Sequence, residues 1–140
     1  MNAEFVDSNI LVYAHDPTTP AKHARARSLV ERLWLEKTGR LSVQVMQEFF
    51  WIVTRKIPAP LPRETALTIL ADLSLWPVYS PAAADVLTAG KLSGEIKISF
   101  WDAMLLVAAK ASGAKRFWSE DLAHGQVVEG VEIFNPFLGS

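Results

Sequence analysis

The chain contains no cysteine, which excludes disulfides and thiolate-held metals and suits a reducing compartment. Nor does charge of either sign dominate: 14 Lys and Arg stand against 15 Asp and Glu, a formal net charge of -1. A protein that grips nucleic acid by bulk electrostatics alone is therefore excluded. Any RNA partner must be held by a local basic patch, a metal or a partner's charge. No apolar run approaches the length of a membrane span. Met1-Asn2-Ala3-Glu4 lacks the basic region and apolar core of a signal peptide, so a soluble, cytoplasmic protein is expected. Repeats and low-complexity tracts are absent as well. What remains is a 140-residue chain, 50% hydrophobic and 21% charged, the profile of one domain spanning 1–140 with a real core.

The organising stretch lies near the start. Phe5-Val6 is a short apolar run, Asp7-Ser8-Asn9 a polar tip, and Ile10-Leu11-Val12-Tyr13-Ala14 a second apolar run. The pattern predicts a buried strand, a turn and the first turns of a helix. Ligands gather beyond the carboxyl ends of strands in open α/β sheets, where Asp7 falls. Helix capping by Asp7, Ser8 or Asn9 accounts for the same residues equally well.

His15-Asp16-Pro17-Thr18-Thr19-Pro20 breaks that helix. A longer one is predicted from Pro20 to about Lys37, burying Ala26, Leu29, Val30 and Leu33 and ending at Gly39. Its basic residues Lys22, Arg25 and Arg32 form a face that is either solvated or a contact for RNA. Arg40-Leu41-Ser42 reads as a short strand. With Ser42 as N-cap, a helix follows whose apolar stripe is Val43, Met46, Phe50 and Val53. Glu48 sits inside it, flanked by Phe49, Phe50 and Trp51. Ile57-Pro58-Ala59-Pro60-Leu61-Pro62 is a loop, and Arg63 to Leu73 a helix burying Ala66, Leu67, Ile69, Leu70 and Leu73. Trp76-Pro77-Val78-Tyr79 is a candidate edge strand. Ser80-Pro81 is expected to open a helix that runs to about Leu92 and stops at Gly94.

Ser99-x-x-Asp102 before an apolar run has the capping-box spacing, so Asp102 has a structural role available as well as a chemical one. Arg116-Phe117-Trp118 reads as a strand ending in Ser119-Glu120-Asp121, which repeats the logic of the opening. Glu129 to Phe134 supplies a last strand. Asp7 and Asp121 thus follow strands, while Glu48 and Asp102 lie early on helices. In a βαβ arrangement those positions share one edge of the sheet. Carboxylates brought together repel, and clustering them makes sense around a hard cation. Without cysteine, and with His15, His23 and His124 scattered, oxygen ligands point to Mg2+ or Mn2+ rather than zinc.

Phe5-Val6-Asp7-Ser8-Asn9 with Leu11 and Tyr13, and Gln44-Val45-Met46-Gln47-Glu48-Phe49, resemble the first half of a PIN domain. Ser99-Phe100-Trp101-Asp102-Ala103 and Trp118-Ser119-Glu120-Asp121-Leu122 resemble its second half, with Asn135-Pro136-Phe137 closing. The ordered set is most similar to the VapC-type toxins of toxin–antitoxin pairs. The resemblance implies a three-layer α/β/α fold with a mostly parallel sheet of about five strands. It implies a metal-dependent endoribonuclease in which Asp7, Glu48, Asp102 and Asp121 hold Mg2+ or Mn2+, and Asn9 and Ser119 order the site. It also implies a homodimer that binds a VapB-like antitoxin.

Two other functions are weighed. An aspartate-nucleophile phosphatase also places Asp after its first strand, but its chemistry wants a second acid where Asn9 stands. A catalytically silent binding module on the same fold has no reason to retain four mutually repelling acids. Asp16 before Pro17 is better explained by a turn, and His124 by solvent or loop bonding, than by metal ligation. The five tryptophans are read as core or interface residues, with Trp101 beside Asp102 the exception that could meet a base.

Overall fold

The computed structural model describes residues 2–138. Strand β1 (Ala3–Val6) leads into α1 (Ser8–His15) and α2 (Pro20–Glu36); β2 (Gly39–Ser42) leads into α3 (Val43–Val53) and α4 (Arg63–Leu73). Then come β3 (Val78–Tyr79), α5 (Ala83–Ile96), α6 (Phe100–Ala111), β4 (Ala114–Trp118), β5 (Val127–Val128) and β6 (Val131–Phe134). The sheet order is β3-β2-β1-β4-β6-β5, parallel throughout except that β5 runs antiparallel to β6.

The order reverses between β1 and β4. The chain steps outward from β1 to β2 and β3, then returns to the other flank of β1. Right-handed crossovers therefore put α1–α4 on one face and α5–α6 on the other. The helix packing agrees, since α1 lies against α2 and α3 while α5 lies against α6. At the centre the rings of Phe5 and Phe117, paired in register across β1 and β4, stack with centroids 5.4 Å apart. On β1, Glu4 is buried yet charged. Arg32 of α2 donates to both its oxygens at 2.8 and 2.9 Å, and the Trp118 indole donates at 2.9 Å. Burial pushes the Glu4 carboxyl up, but these donors more than offset it and hold it below its ordinary value.

The mostly parallel sheet of about five strands is present with one short strand more: the last strand is half of a hairpin whose first strand, β5, has only two residues. Glu129 and Gly130 form its turn with φ of 52° and 83°, the left-handed pair that a two-residue hairpin demands. Several expectations are corrected. Gly39 does not end α2. Lys37 does, at φ 59°, with its N–H on Leu33 O, and Gly39 belongs to β2. Helix α5 opens at Ala83 rather than at Pro81, because Asp85 accepts from the Ala82 N–H at 2.8 Å and so sets the first turn there. It runs through Gly94 to Ile96 and stops at Lys97, again left-handed at φ 58°. Helix α3 is rotated from its predicted stripe: Val45, Phe49 and Val53 are buried, while Val43, Met46 and Phe50 are only half-buried. On α4, Leu67 is exposed rather than buried.

Candidate metal centre

The reversal point is where the candidate acids meet. Asp7 ends β1 and caps α1, so the two explanations of its presence are both realised, one by each oxygen. Oδ1 accepts from the Ser8 N–H at 2.6 Å, the cap; Oδ2 accepts from Ser119 Oγ at 2.7 Å and Asn9 Nδ2 at 3.3 Å. Ser119 ends β4, on the neighbouring strand, and its hydroxyl also receives the Asp121 N–H at 3.1 Å. That bond bends the loop so that Asp121 returns toward β1, where Asn9 Nδ2 donates to its Oδ2 at 2.9 Å. Asn9 and Ser119 are thus the struts that hold two like charges near each other. On the far side of the loop Glu120 accepts from Lys22 at 2.8 Å and from the Tyr13 hydroxyl at 2.9 Å, which anchors the segment to α1 and α2.

Asp102 arrives from the opposite layer, in the first turn of α6. Ser99 Oγ caps the helix by accepting the Asp102 N–H at 3.0 Å, so the cap uses the Asp102 backbone. Its carboxylate points into the cleft. One oxygen each from Asp7, Asp102 and Asp121 lies within 4.8 Å of the others. Glu48 stands on the same cleft wall but outside this set of three. Ser8 Oγ donates to it at 3.0 Å, and Gln44, one turn earlier on α3, donates at 3.2 Å while also reaching Trp101 O at 3.1 Å. The cleft encloses about 490 Å3 and is lined by Asp7, Ser8, Gln47, Glu48, Trp51, Ile52, Asp102, Leu105 and Asp121. Ser8 and Gln44 were not singled out as site residues by the sequence. Gln44 had a signal, its i, i+4 spacing to Glu48; Ser8 was visible only as a possible cap.

Burial and mutual repulsion make the carboxylates of this centre costly to ionise. Burial is the main reason that the Asp7 carboxyl is pushed up to about 7, opposed by the Ser119 hydroxyl and reinforced by the charges of Asp121 and Glu48. Asp102 is also raised, first by burial, then by Asp121, against the Ser99 hydroxyl. Hard oxygen donors, converging and mutually repelling, fit a hard divalent cation. The remaining sequence candidates fall elsewhere. Asp16 accepts from Thr18 N–H at 3.1 Å and its hydroxyl at 2.7 Å, a turn; His124 Nδ1 accepts from the Asn135 N–H at 3.0 Å, a loop bond. Lys22, Arg25 and Arg32 are used internally, the first and last on Glu120 and Glu4, and Arg25 on the carbonyls of Pro136 and Leu138.

A doubly wound sheet with three acids at its switch point defines a protein with a candidate divalent-cation site at the carboxyl edge of its strands. The PIN domain family matches residues 5–129, and the chain belongs to that family. Three solved structures share the fold. The VapC20 toxin of Mycobacterium tuberculosis, described as cleaving the sarcin–ricin loop, is 19% identical with a TM-score of 0.62, over 82% of this chain and 87% of that one. DNA-bound VapBC from Salmonella typhimurium is 17% identical, TM-score 0.65, over 95% and 97%. FitAB bound to a DNA fragment is 16% identical, TM-score 0.70, over 98% and 97%. No curated protein matches the chain.

Proposed function

We propose that this chain is a Mg2+- or Mn2+-dependent endoribonuclease, acting as one PIN unit and as the toxin of a VapBC-type pair. The observation that carries the reading is the convergence of Asp7, Asp102 and Asp121 oxygens within 4.8 Å at the switch point of a PIN fold. These three residues hold the cation. When bound, it supplies positive charge to a scissile phosphate and acidity to an attacking water. Glu48 is the remaining carboxylate of the cleft, placed through Ser8 to orient that water or take its proton. Asn9 and Ser119 keep Asp7 and Asp121 in position by donation. Asn9 thereby does the opposite of what a phosphatase needs there, since its amide gives hydrogen bonds to two carboxylates and has no proton to exchange. A VapB-like antitoxin is one proposed partner, in keeping with the VapBC complex of the same fold, and a second copy of the chain, in a homodimer, is the other. Among the described residues no helix is long and apolar enough to cross a membrane, and the cytoplasm is the proposed place of action.

The test is cleavage of defined RNAs by purified protein with Mg2+ or Mn2+, with chelator, and with a folded Asp102→Asn variant. Metal-dependent cutting that the variant loses by at least about a hundredfold is the expected result. A wild-type protein that binds neither cation and cuts no RNA would remove the nuclease reading.

A further inference from the structure

Resting on the ribonuclease reading, we propose that the stacked pair Trp51 and Arg55 is the subsite for an unpaired nucleotide of the RNA next to the cleaved bond. Trp51 lies on α3 one turn beyond Glu48 and forms part of the wall of the acidic cleft, yet 51% of its surface is exposed. An indole left open beside a reactive centre has a flat π-face to offer, and every base has one to match. The Arg55 guanidinium lies 3.7 Å from the indole centroid, close enough for a cation–π stack that keeps the ring in place.

The charge arrangement narrows the occupant. The cleft itself is negative, so a phosphodiester strand needs positive charge at its rim to approach. Arg55 and its neighbour Lys56 are both exposed, and neither forms an ion pair among the described residues. Lys22 also lies over aromatic rings, those of Tyr13 and Phe137, but its charge is spent on Glu120. A protein partner's apolar tail would need a continuous apolar patch. Trp51 instead carries Arg55 on its ring and has exposed Gln47 and Lys56 flanking it along the chain, a polar rim about an aromatic plate. An unpaired nucleotide offers the matching pair of groups, a base for the plate and a phosphate for the cations.

Binding separates this subsite from the chemistry. Labelled single-stranded and duplex oligoribonucleotides are titrated in chelating buffer against Asp102→Asn protein, by fluorescence anisotropy and by quenching of tryptophan emission. Single strands are expected to bind in preference to duplex. Adding Trp51→Ala weakens single-strand binding between about fivefold and about a hundredfold. Trp51→Phe restores most of it. Trp51→Leu, which keeps apolar bulk without a π-face, behaves like Trp51→Ala and so separates stacking from folding. With wild-type catalytic residues, Trp51→Ala raises KM more than it lowers kcat. If Trp51→Ala and Trp51→Leu bind RNA as the parent does, the subsite is wrong while the nuclease reading stands. The subsite is equally wrong if they lose self-association, seen by sedimentation, and keep RNA affinity, because Trp51 is then an interface residue. A parent that binds no RNA, in a protein whose wild type cuts none, removes both readings.

Discussion

Asp7 combines two demands that conflict in the absence of metal. As the cap of α1 it must be buried at the end of β1, and in its proposed role as a cation ligand it must be ionised. Burial together with Asp121 and Glu48 raises its pKa from 3.8 to about 7. In the metal-free protein the folded state therefore holds a proton that the unfolded state has lost. The stability this proton confers is fully present below the unfolded value near 3.8 and disappears as pH rises through about 7. Thermal melts of metal-free protein between about pH 5 and pH 8 should show stability falling as pH rises, by a few kcal/mol at most. His15, whose burial lowers its pKa, works in the opposite direction, so the comparison that isolates Asp7 is with Asp7→Asn. That variant should be more stable than wild type at the upper end and flatter across the range. Saturating Mg2+ should recover the wild type there and do little for the variant. A wild-type melt no more pH-sensitive than the variant's would show that Asp7 meets its proton cost elsewhere. At this scale the sequence was most informative about acids and least about their partners. Asp7, Asp102 and Asp121 could be picked out because each follows a strand or opens a helix. Ser8 could not, because a serine in a cap is ordinary without coordinates, and the i, i+4 spacing of Gln44 to Glu48 gains meaning only beside the cleft.

Elements were legible where spacing repeats over several turns. The apolar residues of α2 fall at i, i+3, i+4 and i+7, and all four are buried as expected. The errors have local causes. A two-residue strand such as β5 has no period to detect, and α3 carries apolar residues around so much of its circumference that its pattern does not choose a face. Glycine misled twice, at Gly39 and Gly94, where lysines in the left-handed conformation end the helices instead. Gly39 has another reason to be glycine. A Cβ there would come within 2.6 to 2.7 Å of the Trp76 ring, which is itself buried and packed edge-on against Trp34 at 5.3 Å. A Cβ at this position would have to displace the ring or the strand. Gly39→Ala is therefore expected to destabilise the protein by about 1–3 kcal/mol, measured by denaturant unfolding. In a Trp76→Leu background the same substitution should cost clearly less, since the obstructing ring is gone. Equal costs in both backgrounds would mean that the strain lies in the backbone of β2 and not in the ring.

The whole molecule brings its acids together through topology and has no net excess of positive charge to assist them. The reversal between β1 and β4 sets Asp7 beside the Ser119–Asp121 loop, and the return of the chain through α6 brings Asp102 from the other layer. Part of the basic complement is paired internally: Lys22 on Glu120, Arg27 on Glu31, Arg32 on Glu4 and Glu36, Lys110 on Glu129. A protein of net charge -1 has no bulk excess of positive charge with which to track a long phosphate backbone. Recognition should then depend on few phosphates and on stacking, and the salt dependence of binding reports the difference. Each phosphate neutralised on a single strand contributes about -0.7 to the slope of log affinity against log salt. If Arg55 and Lys56 are the principal contacts, single-stranded RNA should bind to metal-free Asp102→Asn protein with a slope between about -1 and -2. Arg55→Ala should reduce its magnitude by about 0.7, whereas Trp51→Ala should lower affinity at every salt concentration and leave the slope alone. A slope steeper than about -4 would require a broad basic track, and one unchanged by Arg55→Ala would place the phosphate contacts away from α3.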